Sequence, residues 1–186
     1  MQISIKTNFP DVQRRMDALH ADVRIKASVS AVNKTIEQAR TQMIREITGE
    51  YAVKAGYVRE RLRIARASFR QGAFNIEASL SGTGKRSANV IAFGARQVGR
   101  GVSVKIKRVG GRQIITGAFI GNKGRTVFKR VGAARLPIKA VSTIDVPQMF
   151  NKRRINATVV AAIKARFPTI FEREAKFYVS RFNGRA

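Results

Sequence analysis

Along the first fifty or so residues, apolar side chains recur every three or four positions. Val12, Met16, Leu19 and Val23 form one series, and Val29, Val32, Ile36, Ala39, Met43 and Ile47 form a second. Such spacing puts each series on one face of a helix. Pro10-Asp11 reads as a helix start and Gly49 as a stop. The two series fall out of step near residues 24–28, which predicts two helices or one long bent helix. A short helix is expected over residues 57–64, with Arg59, Arg61 and Arg63 on its surface.

The period then changes from three or four to two. Phe74, Ile76, Ala78 and Leu80 alternate with small or polar residues, and residues 90–93 are a short apolar run. Val102, Val104 and Ile106 alternate with Ser103, Lys105 and Lys107. Further short runs follow at Ile114-Ile115, at residues 118–120, and at Val127, Phe128 and Val131. Gly110-Gly111, Gly121-Asn122 and Gly132 separate them, as turns separate the strands of a meandering antiparallel sheet. Residues 136–146 read as an irregular crossing segment bounded by Pro137 and Pro147. The last helical stretch spans about residues 148–181. Its stripe runs through Phe150, Val160, Ile163, Phe167, Ile170, Phe171, Ala175, Tyr178 and Phe182, and Pro168 is expected to kink or split it.

Helices, then strands, then a helix define an α+β fold. N-terminal helices, a central antiparallel, meander-like sheet and a long C-terminal helix packed on it are expected in one domain over residues 1–186. Residues 1–65 should be mainly helical, 66–135 mainly strands and 148–182 helical. Met16, Leu19, Ile36, Met43, Ile163, Phe167 and Phe171 should be buried.

Charge changes this picture most. The 186 residues hold 37 Lys and Arg against 11 Asp and Glu, for a net charge of +26. Such a field repels copies of itself and attracts polyanions or acidic surfaces. No acidic residue lies between Glu77 and Asp145, an interval with 14 Lys and Arg. Lys105 and Lys107 alternate on one strand face, Arg108 and Arg112 flank the Gly-Gly turn, and Arg125, Lys129 and Arg130 lie on the next hairpin. These seven are the candidate surface for DNA or an acidic partner. A merely solvated face normally mixes signs. Aromatics are sparse in this interval and Trp is absent, so phosphate contact without sequence reading is the expected mode.

Other candidate chemistry fails on spacing. Ser81-Gly82-Thr83-Gly84-Lys85-Arg86-Ser87 resembles a phosphate loop, but Ser79 stands at the first glycine position and Arg86 where magnesium needs a hydroxyl. Strand-like residues follow it instead of a helix, so a basic hairpin tip is expected. Gly121-Asn122-Lys123-Gly124 has the form of a backbone-clamping loop between helices, but its flanks look like strands, and a turn is the better reading. His20 is the only histidine, too few for the usual metal cluster. Glu172 and Glu174 do not share a helix face, and Glu46 and Glu50 have no partner motif. No catalytic residue, metal or cofactor is expected. There is no cysteine, no apolar run near the roughly 18 residues of a spanning helix, and no secretory apolar region at the N-terminus. Assembly in the cytoplasm without a membrane partner is expected.

Residues 117–150, GAFIGNKGRTVFKRVGAARLPIKAVSTIDVPQMF, are similar to the core signature of the prophage minor tail protein Z family of tailed bacteriophages. A GAFI strand leads into a hairpin, Leu136-Pro137-Ile138 follows, and residues 146–150 lead into the last helix. Ala31-Val32-Asn33-Lys34-Thr35, Val58-Arg59-Glu60-Arg61-Leu62 and Arg66-Ala67-Ser68 resemble the family's upstream parts. The resemblance spans most of the chain. It implies a structural virion protein that completes the head-proximal end of a tail, joins it to the head and lets DNA pass. It also implies a homo-oligomeric ring contacting other tail or neck proteins, and no catalytic residues. The composition alone equally allows a stand-alone, sequence-nonspecific nucleic-acid-binding protein.

Overall fold

The computed structural model describes residues 2–6, 19, 21–68, 76–84 and 87–184. Val12, Met16, His20, Phe74, Lys85 and Arg86 lie outside them, and with them half of the first predicted helical series and the tip of the SGTGKRS loop. The fold is α+β, and the described residues group into two compact units.

The first unit draws on the described parts of Met1–Met43, Leu62–Gly82 and Asn156–Ala186. Its sheet has the order β1 (Gln2–Lys6), β3 (Glu77–Gly82), β2 (Leu62–Ala65), antiparallel throughout, with Ile3 and Ile64 both opposite Leu80. β1 and β2 lie outside the expected strands, although Ile3 and Ile5, and Leu62 and Ile64, alternate with polar residues; residues 62–64 belong to a strand rather than to the short helix. Helix α1 (Ala21–Glu50) runs unbroken through the predicted discontinuity at 24–28. The reason is size: Ala27, Ser28 and Ala31 are fully buried and carry the stripe where large apolar residues are missing. Ile36 and Met43 are fully buried, as expected, and Leu19 is half-buried.

Helix α4 (Arg153–Asn183) passes Pro168 without being split. Pro168 faces solvent, as does Lys164, whose carbonyl loses its helical donor and can turn to water. Ile163, Phe167 and Phe171 are buried, and the rings of Phe167 and Phe171 lie 6.3 Å apart. Phe182 is a correction to the stripe: it is 44% exposed. Polar contacts also brace this unit. Asn33 on α1 donates to the Ala67 carbonyl at 2.9 Å and accepts from the Ala67 N–H at 2.8 Å. The Glu174 carboxylate on α4 accepts from Ser30 Oγ at 2.8 Å and Lys34 Nζ at 2.6 Å on α1.

The second unit comprises Ile44–Arg61 and the described part of Thr83–Ile155. It holds helix α2 (Ala55–Glu60) and helix α3 (Val146–Phe150), the latter separated from α4 rather than continuous with it. Its strands form two meanders and a two-stranded ladder, all antiparallel. One meander is β5 (Arg96–Val98), β6 (Gly101–Val104), β7 (Gln113–Thr116), and the other is β8 (Ala118–Gly121), β9 (Thr126–Arg130), β10 (Ile138–Ala140). The ladder pairs β4 (Ala88–Asn89) with β11 (Ser142–Thr143), so the crossing segment carries two short strands. The apolar run Val90–Phe93 is a 3-10 turn.

The two meanders are separate where one sheet was expected: β7 and β8 are divided by a single residue, Gly117, whose φ of 73° sends the chain into a new ladder. Val90, Val102, Val104, Ala118 and Val127 make the core between these elements. Asn89 braces it: its Oδ1 accepts from the N–H of Ile91 at 3.1 Å and of Val127 at 2.9 Å, while Nδ2 donates to the Val127 carbonyl at 3.1 Å.

Candidate polyanion and partner interface

All seven candidate cations lie in the second unit, but they do different things there. Arg108 closes the end of α1. Its N–H donates to the Glu50 carbonyl at 2.8 Å and its Nε donates to the Thr48 carbonyl. Helix α1 has no basic residue in its last turn, so Arg108 supplies from another segment the cation that the negative end of the helix favours. Arg112 is a staple: Nε donates to Ser103 Oγ at 2.8 Å, and Nη2 donates to the carbonyls of Ser103 at 2.7 Å and Gly94 at 2.6 Å. The Arg112 guanidinium group and the Nε of the exposed Arg108 are therefore bonded to internal acceptors, which alternation along a strand could not reveal.

The other five keep their charged groups available. Lys105 is half-buried just past β6, and Lys107, bridged through its backbone to Tyr51, is exposed. Arg125 follows the turn at residues 121–124. There Gly124 N–H donates to the Gly121 carbonyl and Asn122, Lys123 and Gly124 all have positive φ, so the GxxG stretch is a tight β-turn between β8 and β9. Lys129 and Arg130 are consecutive on β9 and so project from opposite faces of its sheet. Arg130 lies over the Phe119 ring, 5.4 Å from its centre, beside Phe128. Lys129 stands directly opposite Lys139 on β10. Lys139 is thus a further member of the basic surface that sequence reasoning passed over, since only the strand register brings it to Lys129.

Three of the four carboxylates weighed as catalytic candidates, Glu50, Glu172 and Glu174, are held by cations. Glu50 accepts from Lys152 and, at 2.8 Å, from Arg154, and Glu172 pairs with Lys176 at 3.3 Å. Burial alone pushes the Glu50 and Glu174 carboxyls up. The hydrogen bonds and charges of Lys152 and Arg154 at Glu50, and of Lys34, Ser30 and Arg173 at Glu174, outweigh burial, so both end below the ordinary value of 4.5. The ionised forms therefore favour the fold. Their contribution is full above pH 4.5 and is lost as pH falls through the folded values. Glu50→Gln and Glu174→Gln should each cost about 2 kcal/mol at neutral pH and flatten the acid limb of a pH–stability curve. A difference curve that does not change with pH would contradict this.

The SGTGKRS loop has a structural use for one glycine. A Cβ on Gly84 would lie 2.7 Å from Asp145 Oδ2. Asp145 itself is buried. It accepts from Tyr57 Oη at 3.0 Å and pairs with Arg61 Nε at 3.5 Å, while Arg61 stacks 3.6 Å from the centre of the Tyr57 ring. Asp145 and Gln148 also form a reciprocal cap on α3, a pattern that Asp145-x-x-Gln148 spells in the sequence.

These features define an α+β protein whose second unit presents surface cations from a stretch of sequence, residues 78–144, that holds no Asp or Glu. No described helix is long and apolar enough to cross a membrane, and among the described residues no group of three or more His, Cys, Asp or Glu is placed to hold a metal ion. The family model of the prophage minor tail protein Z (GPZ) matches residues 12–185. The chain belongs to that family and is a structural protein of the phage tail. No curated protein and no solved structure matches it significantly.

Proposed function

We propose that this chain completes the head-proximal end of the tail as a subunit of a homo-oligomeric ring, contacting neighbouring tail and neck proteins where DNA passes. The observation that carries this reading is the basic interval of a tail-protein family member: 14 Lys and Arg from residue 78 to 144 without one Asp or Glu. Copies bearing such charge come together only when anions offset the repulsion, and a DNA conduit or an acidic neighbour supplies them. Lys105, Lys107, Arg125 and Lys129 are the cations assigned to that surface; Arg130 projects from the opposite face of its sheet, over Phe119, and Arg108 and Arg112 brace the strands and helix end that present the others. The role is structural rather than enzymatic, a reading supported by Glu50, Asp145, Glu172 and Glu174 each being engaged by a cation.

Reversing Lys105 and Lys107 to Glu should block tail joining or lower DNA affinity, with a fall of about two in the slope of log affinity against log salt if DNA is the partner. Unchanged DNA binding, tail joining and infectivity in the double variant would remove these lysines from the surface. The ring is tested separately by light scattering and by imaging tails with this chain labelled. A monomer at every concentration, together with normal infectivity of particles lacking the chain, would leave the stand-alone nucleic-acid binder instead.

A further inference from the structure

The sheet β8–β9–β10 has two unlike faces. Strand register puts Phe119, Phe128, Arg130, Ile138 and Ala140 on one. On the other, Ala118 and Val127 are buried in the core, and Lys129 and Lys139 are exposed beside them. The flanking bonds Val131 N–H to Pro137 carbonyl, 3.1 Å, and Val141 N–H to Val127 carbonyl, 2.9 Å, make Lys129–Lys139 a closely hydrogen-bonded pair. Their Cα atoms are then about 5.5 Å apart, with both side chains on the same side. Like charges directly opposite one another destabilise an antiparallel ladder. Neither lysine has a hydrogen-bond or carboxylate partner among the described residues.

We infer that Lys129 and Lys139 form a two-lysine clamp for the phosphodiester backbone of DNA. The inference rests on the tail-end reading above. Guarding the edge strand β10 needs one charge only, and a carboxylate opposite Lys139 would serve it without repulsion. A second lysine there makes sense when an anion bridges the two. The anion is a phosphate chain rather than an acidic protein, because lysine is depleted from protein interfaces, whose centres are apolar and aromatic. The aromatic residues and the arginine of this sheet occupy the other face. Lysine binds phosphate as a point charge that needs no fixed geometry, which suits a backbone sliding past without sequence readout.

The test uses the full chain, Lys129→Gln/Lys139→Gln, a Lys129→Arg/Lys139→Arg control and two probes, a short DNA duplex of random sequence and polyglutamate. Between about 50 and about 200 mM salt the wild type should lose about tenfold more duplex affinity than the Gln variant, since two released counterions add about 1.8 to the slope. The Arg variant should keep the wild-type slope. Without DNA, the Gln variant should melt about 2 °C higher, as repulsion is relieved, and should gain less than the wild type from added duplex. An unchanged duplex slope in the Gln variant overturns the inference. So does an equal loss for polyglutamate, which would make the partner an acidic protein. The two readings fail separately. Gln-variant tails that assemble and join heads, with an unchanged slope, would sink the clamp alone. Absence of the chain from the head-proximal tail end would sink the tail-end reading, while the duplex slopes still report on the clamp.

Discussion

Asp145→Ala is expected to destabilise the protein by about 3 kcal/mol in denaturant unfolding. Three losses combine at one buried side chain. The carboxylate accepts from the Val146 N–H at 2.7 Å and completes the reciprocal cap with Gln148, and losing such a cap costs about 1 kcal/mol. Tyr57 Oη loses its acceptor in a half-buried site, and Arg61 loses the charge that faces its Nε. Groups left unpaired in this way cost about 1–3 kcal/mol together, at the lower end where solvent reaches them, as it does Arg61. Asp145→Asn keeps an acceptor for the cap and should recover part of the loss. The same contact has a signature in base. Burial first, then the bond from Tyr57 to Asp145, pushes the Tyr57 hydroxyl up to about 12. Protonated Tyr57 therefore supports the fold fully below its ordinary value of 10, and that support fades as pH rises towards 12. Tyr57→Phe should remove this portion of the alkaline limb. A loss below about 1 kcal/mol for Asp145→Ala would show that the cluster contributes little beyond the cap.

Gly101→Ala is expected to cost about 4 kcal/mol, a large effect for a one-methyl change. Gly101 opens β6 with φ of 151°, a backbone conformation that side-chain-bearing residues rarely adopt. A Cβ there would stand 2.2 Å from the Ile115 carbonyl oxygen and 3.0 Å from its carbon. Those atoms belong to the paired strand β7, with Gly101 opposite Thr116, so relief requires parting the ladder rather than turning a side chain. Gly99, two residues earlier, has open space where a methyl would stand, and Gly99→Ala should stay within about 0.5 kcal/mol. Equal stabilities of the two variants by thermal unfolding would refute the steric argument.

Periodicity alone is enough for the helices that matter to the first unit. Ile36, Met43, Phe167 and Phe171 repeat at helical spacing and are buried as that spacing requires. It is enough, too, for the strands around Val102, Ile115, Phe119 and Val127, where alternation and glycine punctuation coincide. It leaves one helix or two open at residues 24–28, since Ala27 and Ser28 fill a buried face without registering as apolar bulk, and it leaves open a split at Pro168 that a solvent-facing position avoids.

The amino-acid sequence by itself determined the α+β class, the family and the segregation of charge, because each is a property of residue types and their spacing. Tertiary structure decided which cations are free to meet a partner. Arg108 and Arg112 look like Lys105 and Lys107 along the chain, yet their partners, the end of α1 and the Ser103 and Gly94 carbonyls, come from segments brought close by folding. Lys139 gained its place opposite Lys129 in the same way. Hydrogen-bond partners and strand register depend on distances through space, and local alternation carries no information about those distances.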